Sequence, residues 1–100
     1  MREQVAAMFK AIGHPTRLML VEELLKGERC VCELVPMTGA DFSTVSKHLT
    51  LLKGSGLIKS RKQDLNVYYS IAMMEAEQIV SLSKLAVKSN FSRFLKAAGE

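Results

Sequence analysis

The stretch that most constrains the fold is Asp41 to Ile71, DFSTVSKHLTLLKGSGLIKSRKQDLNVYYSI, because a helical pattern gives way within it to a strand-like one. Val45, His48, Leu49 and Leu52 recur at i, i+3, i+4 and i+7, which is one face of an amphipathic helix. Ser43, Ser46, Lys47, Thr50 and Lys53 fall on the other face, which is small, hydroxylated and basic and carries no acid. Such a face suits a DNA major groove, since hydroxyls can bond bases or phosphates and lysines attract the backbone. Asp41 or Ser43 can cap the helix start, and Gly54 or Gly56 can end it. Leu57 to Lys62 is a strand-like run ending in charge, Gln63 to Asn66 reads as a turn, and Val67 to Ile71 returns as a β-rich strand. A polar-faced helix followed by a basic hairpin predicts a recognition helix with a wing. Ser43, Thr44, Ser46, Lys47 and Thr50 are then expected to face DNA, with Arg61, Lys62 and Asn66 on the wing reaching its backbone or minor groove. An ordinary amphipathic helix with a solvated face and a surface hairpin would carry the same pattern.

The preceding residues supply the scaffold for such a helix. Val5, Met8, Phe9 and Ile12 mark a first helix over residues 2–12, which Gly13 stops. Pro15 suits the first turn of a second helix, whose core face is Leu18, Val21, Leu24 and Leu25 and which ends at Gly27. Cys30 to Met37 predicts a short third helix, expected to finish near Pro36, since proline lacks the amide donor and clashes with the preceding turn. Thr38-Gly39-Ala40 makes the turn, so a helix-turn-helix spans about residues 30–55 and the wing about 57–71. A last helix covers about residues 74–97, with an apolar stripe that includes Ile79, Leu82, Ala86, Val87, Phe91 and Phe94. That stripe is too broad for one small domain to cover. A second copy of the chain would bury it together with Val5, Met8, Phe9 and Ile12, giving a homodimer that presents two recognition helices to paired half-sites. The expected fold is thus mainly α with a small β-hairpin: a single winged helix-turn-helix domain over residues 1–100, dimerised through its first and last helices.

Composition sets the outer limits. One hundred residues make one domain with a modest core, and a 48% hydrophobic, 24% charged chain is that of a soluble globular protein. A net charge of +4 permits a polyanionic partner without demanding one. No apolar run approaches the ~20 residues that span a bilayer, and the N-terminal residues lack the pattern of a secretory signal, so a cytoplasmic location with no membrane partner is expected. There is no nucleophile motif, phosphate-cradling glycine loop or paired-carboxylate geometry, so the chain is not expected to be an enzyme. His14 is expected to cap or pack at a helix start, and His48 to be a satisfied, half-buried side chain.

The two cysteines, Cys30 and Cys32, do not make a disulfide framework, and in a reducing compartment they are more plausibly thiols for metal or redox chemistry. Thiolates select soft ions, and both a helix N-terminus and the neighbouring Arg29 favour the thiolate form. In a regular helix residues i and i+2 point about 200° apart. Chelation of one ion is therefore expected to need the backbone at Cys30 to leave helical geometry, a distortion close to Ser43–Lys53. The alternative is a pair of inert, small, partly buried side chains.

Five pieces, in this order, resemble the ArsR/SmtB family of winged-helix bacterial repressors. They are Ala11-Ile12-Gly13-His14-Pro15-Thr16-Arg17-Leu18, then Cys30-Val31-Cys32-Glu33-Leu34, then Ser43-Thr44-Val45-Ser46-Lys47-His48-Leu49 with Leu51-Leu52-Lys53, then Gly56-Leu57-Ile58, and last Val67-Tyr68-Tyr69. The match runs over about residues 5–71. The resemblance implies homodimers that bind operator DNA and release it when an inducer binds. Cys30-Val31-Cys32-Glu33-Leu34 is similar to the arsenic-responsive branch, which implies trivalent arsenic or antimony as inducer, held by Cys30 and Cys32. That branch carries a third cysteine where this chain has Val35, and the chain has no other cysteine. Zinc-sensing relatives place Asp, His and Glu ligands on the last helix, whereas residues 72–100 here contain no His and no Asp. The rival readings are a repressor of the same fold that answers to oxidants, persulfides or a two-coordinate ion such as mercury, and a winged-helix module that binds a protein.

Overall fold

A computed structural model describes residues 1–99. Its elements run α1 (Arg2–Ile12), α2 (Pro15–Leu25), β1 (Arg29–Cys30), α3 (Val31–Thr38), α4 (Phe42–Gly54), β2 (Ile58–Gln63), β3 (Asn66–Ile71) and α5 (Ala76–Ala98). The arrangement is a winged helix-turn-helix, mostly helical with one small antiparallel sheet.

The helix boundaries follow local chemistry. His14, in extended backbone, caps α2 by accepting the Thr16 amide on Nδ1 at 3.1 Å, and Pro15 occupies the first turn. Asp41 caps α4 by accepting the Thr44 amide at 2.8 Å. Two neighbouring positions depart from the sequence expectation. α3 continues two residues past Pro36, because proline there forfeits only the bond to the Cys32 carbonyl. The helix stops instead at Gly39, whose φ of 72° is left-handed and favours glycine. Cys30 is not the first helical residue: it belongs to β1 and caps α3 from outside.

The sheet has three strands rather than the two of a hairpin, in the order β1-β3-β2. Arg29 pairs with Tyr69 and Cys30 with Tyr68, while β2 and β3 pair from Ile58↔Ile71 to Gln63↔Asn66. Two residues are too few to show an alternating pattern, which is why β1 is invisible in the sequence. The turn between β2 and β3 places Asp64 at φ 57°, a conformation that Asp tolerates better than most residues.

The core lies where α2, α3, α4 and the sheet meet, centred on Val21, Leu34, Leu49, Leu52 and Leu57, all fully buried. Each such Leu contributes about 1.5–3 kcal/mol by leaving water. Val45, Leu49 and Leu52 are the buried face foreseen for α4, and His48 is half-buried. α1 and α5 are different. Met8 and Ile12 pack partly on the core, but Val5 and Phe9 are exposed. On α5 only Ala76 and Val80 are buried. Ile79 is half-buried, Ala86 is exposed, and Leu82, Val87, Phe91 and Phe94 are each about three-fifths or more exposed, at 66%, 68%, 59% and 67%. The molecule is 60 Å in its longest dimension. Among the described residues no helix is long and apolar enough to cross a membrane.

Candidate functional site

The outer face of α4 is built by its cap and its buried face together. With Val45, Leu49 and Leu52 fixed in the core, the 3.6-residue period turns Ser43, Lys47 and Thr50 outward. Ser43, Thr44, Lys47 and Thr50 are exposed, and Ser46 is half-buried at the edge of the same face. Asp41 sits at the N-terminal end of this surface. Hydrogen bonds from Thr44 hold its carboxyl below the usual range, and Lys47 adds to the effect. The aspartate therefore keeps its charge on cap duty. Lys53, at the far end of α4, donates to Ser60 Oγ at 2.7 Å and so joins the helix to the base of the wing.

On the wing, Lys62 and Asn66 are exposed near the turn, whose tip is the fully solvated Leu65. Arg61 differs from the expectation that it reaches outward. Its Nε and Nη2 donate to the two carboxylate oxygens of Glu28 at 2.8 and 2.6 Å, and its Nη1 donates to Gln63 Oε1 at 2.6 Å. The guanidinium lies over the Tyr68 ring, 4.7 Å from the centroid. This fork-to-fork pairing holds the Glu28 carboxyl below its usual range and raises the Arg61 guanidinium above its own. Glu28 was not singled out in the sequence; its partner is 33 residues away, beyond the reach of any local pattern.

The cysteines lie at the joint between sheet and helix-turn-helix. Cys30 is 3% exposed and Cys32 is exposed, and the two are joined in a disulfide. Cys30 Sγ accepts the Cys32 amide at 3.1 Å, and the Cys30 amide donates to Glu33 Oε1 at 3.0 Å, a reciprocal capping box with sulfur in the place of a hydroxyl. The divergence of about 200° expected for two helical residues does not arise. Cys30 has φ −69° and ψ 144°, extended values that swing its sulfur over the helix end toward Cys32. No helical turn has to unwind for the sulfurs to converge. Arg29 turns to Glu33, with Nη1 3.5 Å from Oε2. Cys30 Sγ also lies 3.9 Å from Asn66 Oδ1 on the wing. Among the described residues no group of three His, Cys, Asp or Glu side chains gathers to hold a metal.

A third cluster links the helices beneath the outer face of α4. The rings of His14 and His48 lie 4.7 Å apart. His48 Nδ1 is 3.3 Å from Arg17 Nη1, and Arg17 also donates to the carbonyls of Ala11 at 2.6 Å and Lys10 at 3.1 Å. Burial pushes the His48 imidazole below its usual range, and the charges of His14 and Arg17 push the same way.

Comparison with known proteins agrees with this geometry. Residues 14–60 match the model of the bacterial regulatory protein, arsR family. The chain is 37% identical over 81 residues to an HTH-type transcriptional regulator of Methanocaldococcus jannaschii, covering 80% of this chain and 91% of that one. It is 40% identical over 77 residues to a homologue of the cadmium resistance regulatory protein CadC of Staphylococcus aureus, covering 76% of this chain and 64% of the relative. Among solved structures it resembles the homodimeric winged helix-turn-helix DNA-binding domain of a possible ArsR-family regulator from Mycobacterium bovis, with 30% identity, a TM-score of 0.81, and 91% of this chain and 84% of that one covered. With the fold and the two-helix, one-wing surface in place, these likenesses establish that the chain belongs to the ArsR family of winged-helix transcriptional regulators.

Proposed function

We propose that this regulator is a cytoplasmic homodimeric repressor that binds operator DNA through α4 and its wing, and that trivalent arsenic or antimony bound at Cys30 and Cys32 releases it. The observation that carries the reading is the convergence of two sulfurs, one buried and one open to solvent, at the cap of the first helix of the helix-turn-helix. As dithiol, this pair condenses with arsenous acid. Two As–S bonds form, two As–OH bonds break, the thiol protons leave as two molecules of water, and one hydroxyl stays on arsenic. That product needs no third cysteine, which suits a chain with Val35 at the third position. Soft thiolates favour such an ion over hard cations.

Release then requires the ligand to bind one conformation better than the DNA-bound one. Because the sulfurs meet without unwinding α3, the ligand acts on how β1 and the α3 cap sit against their neighbours rather than by melting a turn. The M. bovis relative is described as homodimeric, and the uncovered apolar faces of α1 and α5 support the same assembly here.

A second reading is favoured by the bond between the sulfurs. Peroxide takes two electrons from the dithiol, the S–S bond forms, and two molecules of water leave, so the same pair serves a repressor that answers to oxidants. Both readings are tested on reduced protein by operator binding titrated with arsenite, antimonite and, separately, peroxide. Arsenite is expected to release the wild type and to leave Cys30→Ser and Cys32→Ser bound. Release of the double serine variant by arsenite would overturn the site. Release by peroxide alone would favour the oxidant reading.

A further inference from the structure

Arg61 sits opposite Tyr68, and Tyr68 sits opposite Cys30. The three residues form one row across the sheet, on one face, in the order Cys30, Tyr68, Arg61. Arg61 reaches back over the Tyr68 ring and closes on Glu28, two positions before Cys30 in the chain. One sulfur therefore lies at one end of a row whose other end is a basic wing residue folded back onto a carboxylate.

We propose that Glu28 is a positioning residue for the wing, holding Arg61 off the DNA, and that the bonding state of Cys30 reaches the wing through Asn66 and the Cys30–Tyr68–Arg61 row. The relay rests on the reading of the cysteine pair as the sensor. Its chemistry is local. In the disulfide, Cys30 Sγ has no proton, so its 3.9 Å approach to Asn66 Oδ1 is a contact and not a hydrogen bond. As a thiol the same sulfur can donate to that oxygen, and with an ion attached it again cannot. Each state thus offers β3 a different neighbour. β1 is two residues long and is paired only to β3, so little else in the sheet resists a shift at Cys30.

The clamp is suited to respond to a small shift. Arg61 and Glu28 are both partly exposed, and exposed pairs are weak. A DNA phosphate, like the carboxylate, offers the guanidinium two oxygens for bidentate pairing. Glu28 and phosphate therefore compete for one arginine, and the tilt of β1 against β3 biases the outcome.

The test uses the full chain in its disulfide and dithiol forms, the latter made with a dithiol reagent. Reduction breaks the S–S bond and places a proton on each sulfur, while the reagent's own thiols become a disulfide. Side-chain NMR of the Arg61 Nε–H and the Asn66 amide group is expected to differ between the two forms. Operator binding by Glu28→Gln is expected to be tighter, with the salt slope steeper by about one unit from one additional phosphate contact. The affinity ratio between its dithiol and disulfide forms should shrink relative to wild type. Glu28→Gln with Arg61→Gln should lose the added slope. Identical Arg61 and Asn66 signals in both forms, or a Glu28→Gln variant with wild-type slope and ratio, would overturn the relay even where arsenite still releases the operator. Arg61 and Asn66 signals that differ between the two forms, with the Glu28→Gln slope and ratio as expected, would keep the relay where arsenite leaves the wild type bound, an outcome that would sink the arsenite reading alone.

Discussion

Cys30 and Cys32 differ in exposure: Cys32 meets solvent, and Cys30 is packed where the sheet meets α3. Val35 lies three residues beyond Cys32 and so on the same side of α3, where a third sulfur would complete the proposed site. Val35→Cys is expected to lower the arsenite concentration that releases the operator, read by titration with the wild type alongside. An unchanged midpoint would mean that the third sulfur cannot reach the ion. On the outer face of α4, Lys47 is exposed and tied to no other side chain by a hydrogen bond or ion pair among the described residues. Lys47→Ala should weaken operator binding and lower the salt slope by about one unit if the lysine meets phosphate. Wild-type slope and affinity would remove it from the DNA surface. Exposed positions of this kind were legible in the sequence because they follow from helical period alone. Arg17 and Glu28 were not, since each acts on a side chain more than thirty positions away, His48 and Arg61 respectively.

Among the elements, α4 was the easiest to foresee and β1 the hardest. α4 has four apolar or half-apolar positions at helical spacing and a strong cap, so local preference and burial agree. β1 exists only because β3 lies beside it, and a reading that ended the sheet at the hairpin necessarily put Cys30 inside a helix. That single misplacement produced the expected divergence of the sulfurs and the unwinding step that would have followed. α4 is also fastened to α1 and α2 through Arg17, His48 and His14. His48 Nδ1 faces a guanidinium donor, so it accepts in the neutral form, and protonation would put a second positive charge beside Arg17. The native state therefore resists a proton that the unfolded chain takes up below about pH 6.5. Below that point the unfolded state binds more protons, and stability falls with pH toward the depressed native value. Denaturant midpoints followed from about pH 7.5 down to about pH 5 should fall more steeply for the wild type than for His48→Gln. Parallel curves would show that the imidazole titrates freely.

For the whole molecule, the governing feature is α5, a 23-residue helix of which only Ala76 and Val80 are buried. Phe91, Phe94 and Leu82 expose more than half their surface, as do Phe9 on α1 and Leu85 beside them in sequence. Phe91→Glu would set a charge in the apolar stripe and is expected to yield monomers or aggregates that no longer bind the operator. Sedimentation decides it: a soluble variant that remains a dimer would move the interface elsewhere. The breadth of this stripe was readable from composition and period, whereas its geometry, a helix that runs on past the core, required the fold. Were a second chain to complete this helix, as proposed, abundance would become a thermodynamic variable. By mass action, at low copy number chains would be mostly single, their outer turns frayed and open to proteases. At higher copy number they would pair, and pairing would protect them. Occupancy of an operator would then rise more steeply than in proportion to the amount of protein made, and part of the response to an inducer could come from how long unpaired chains survive.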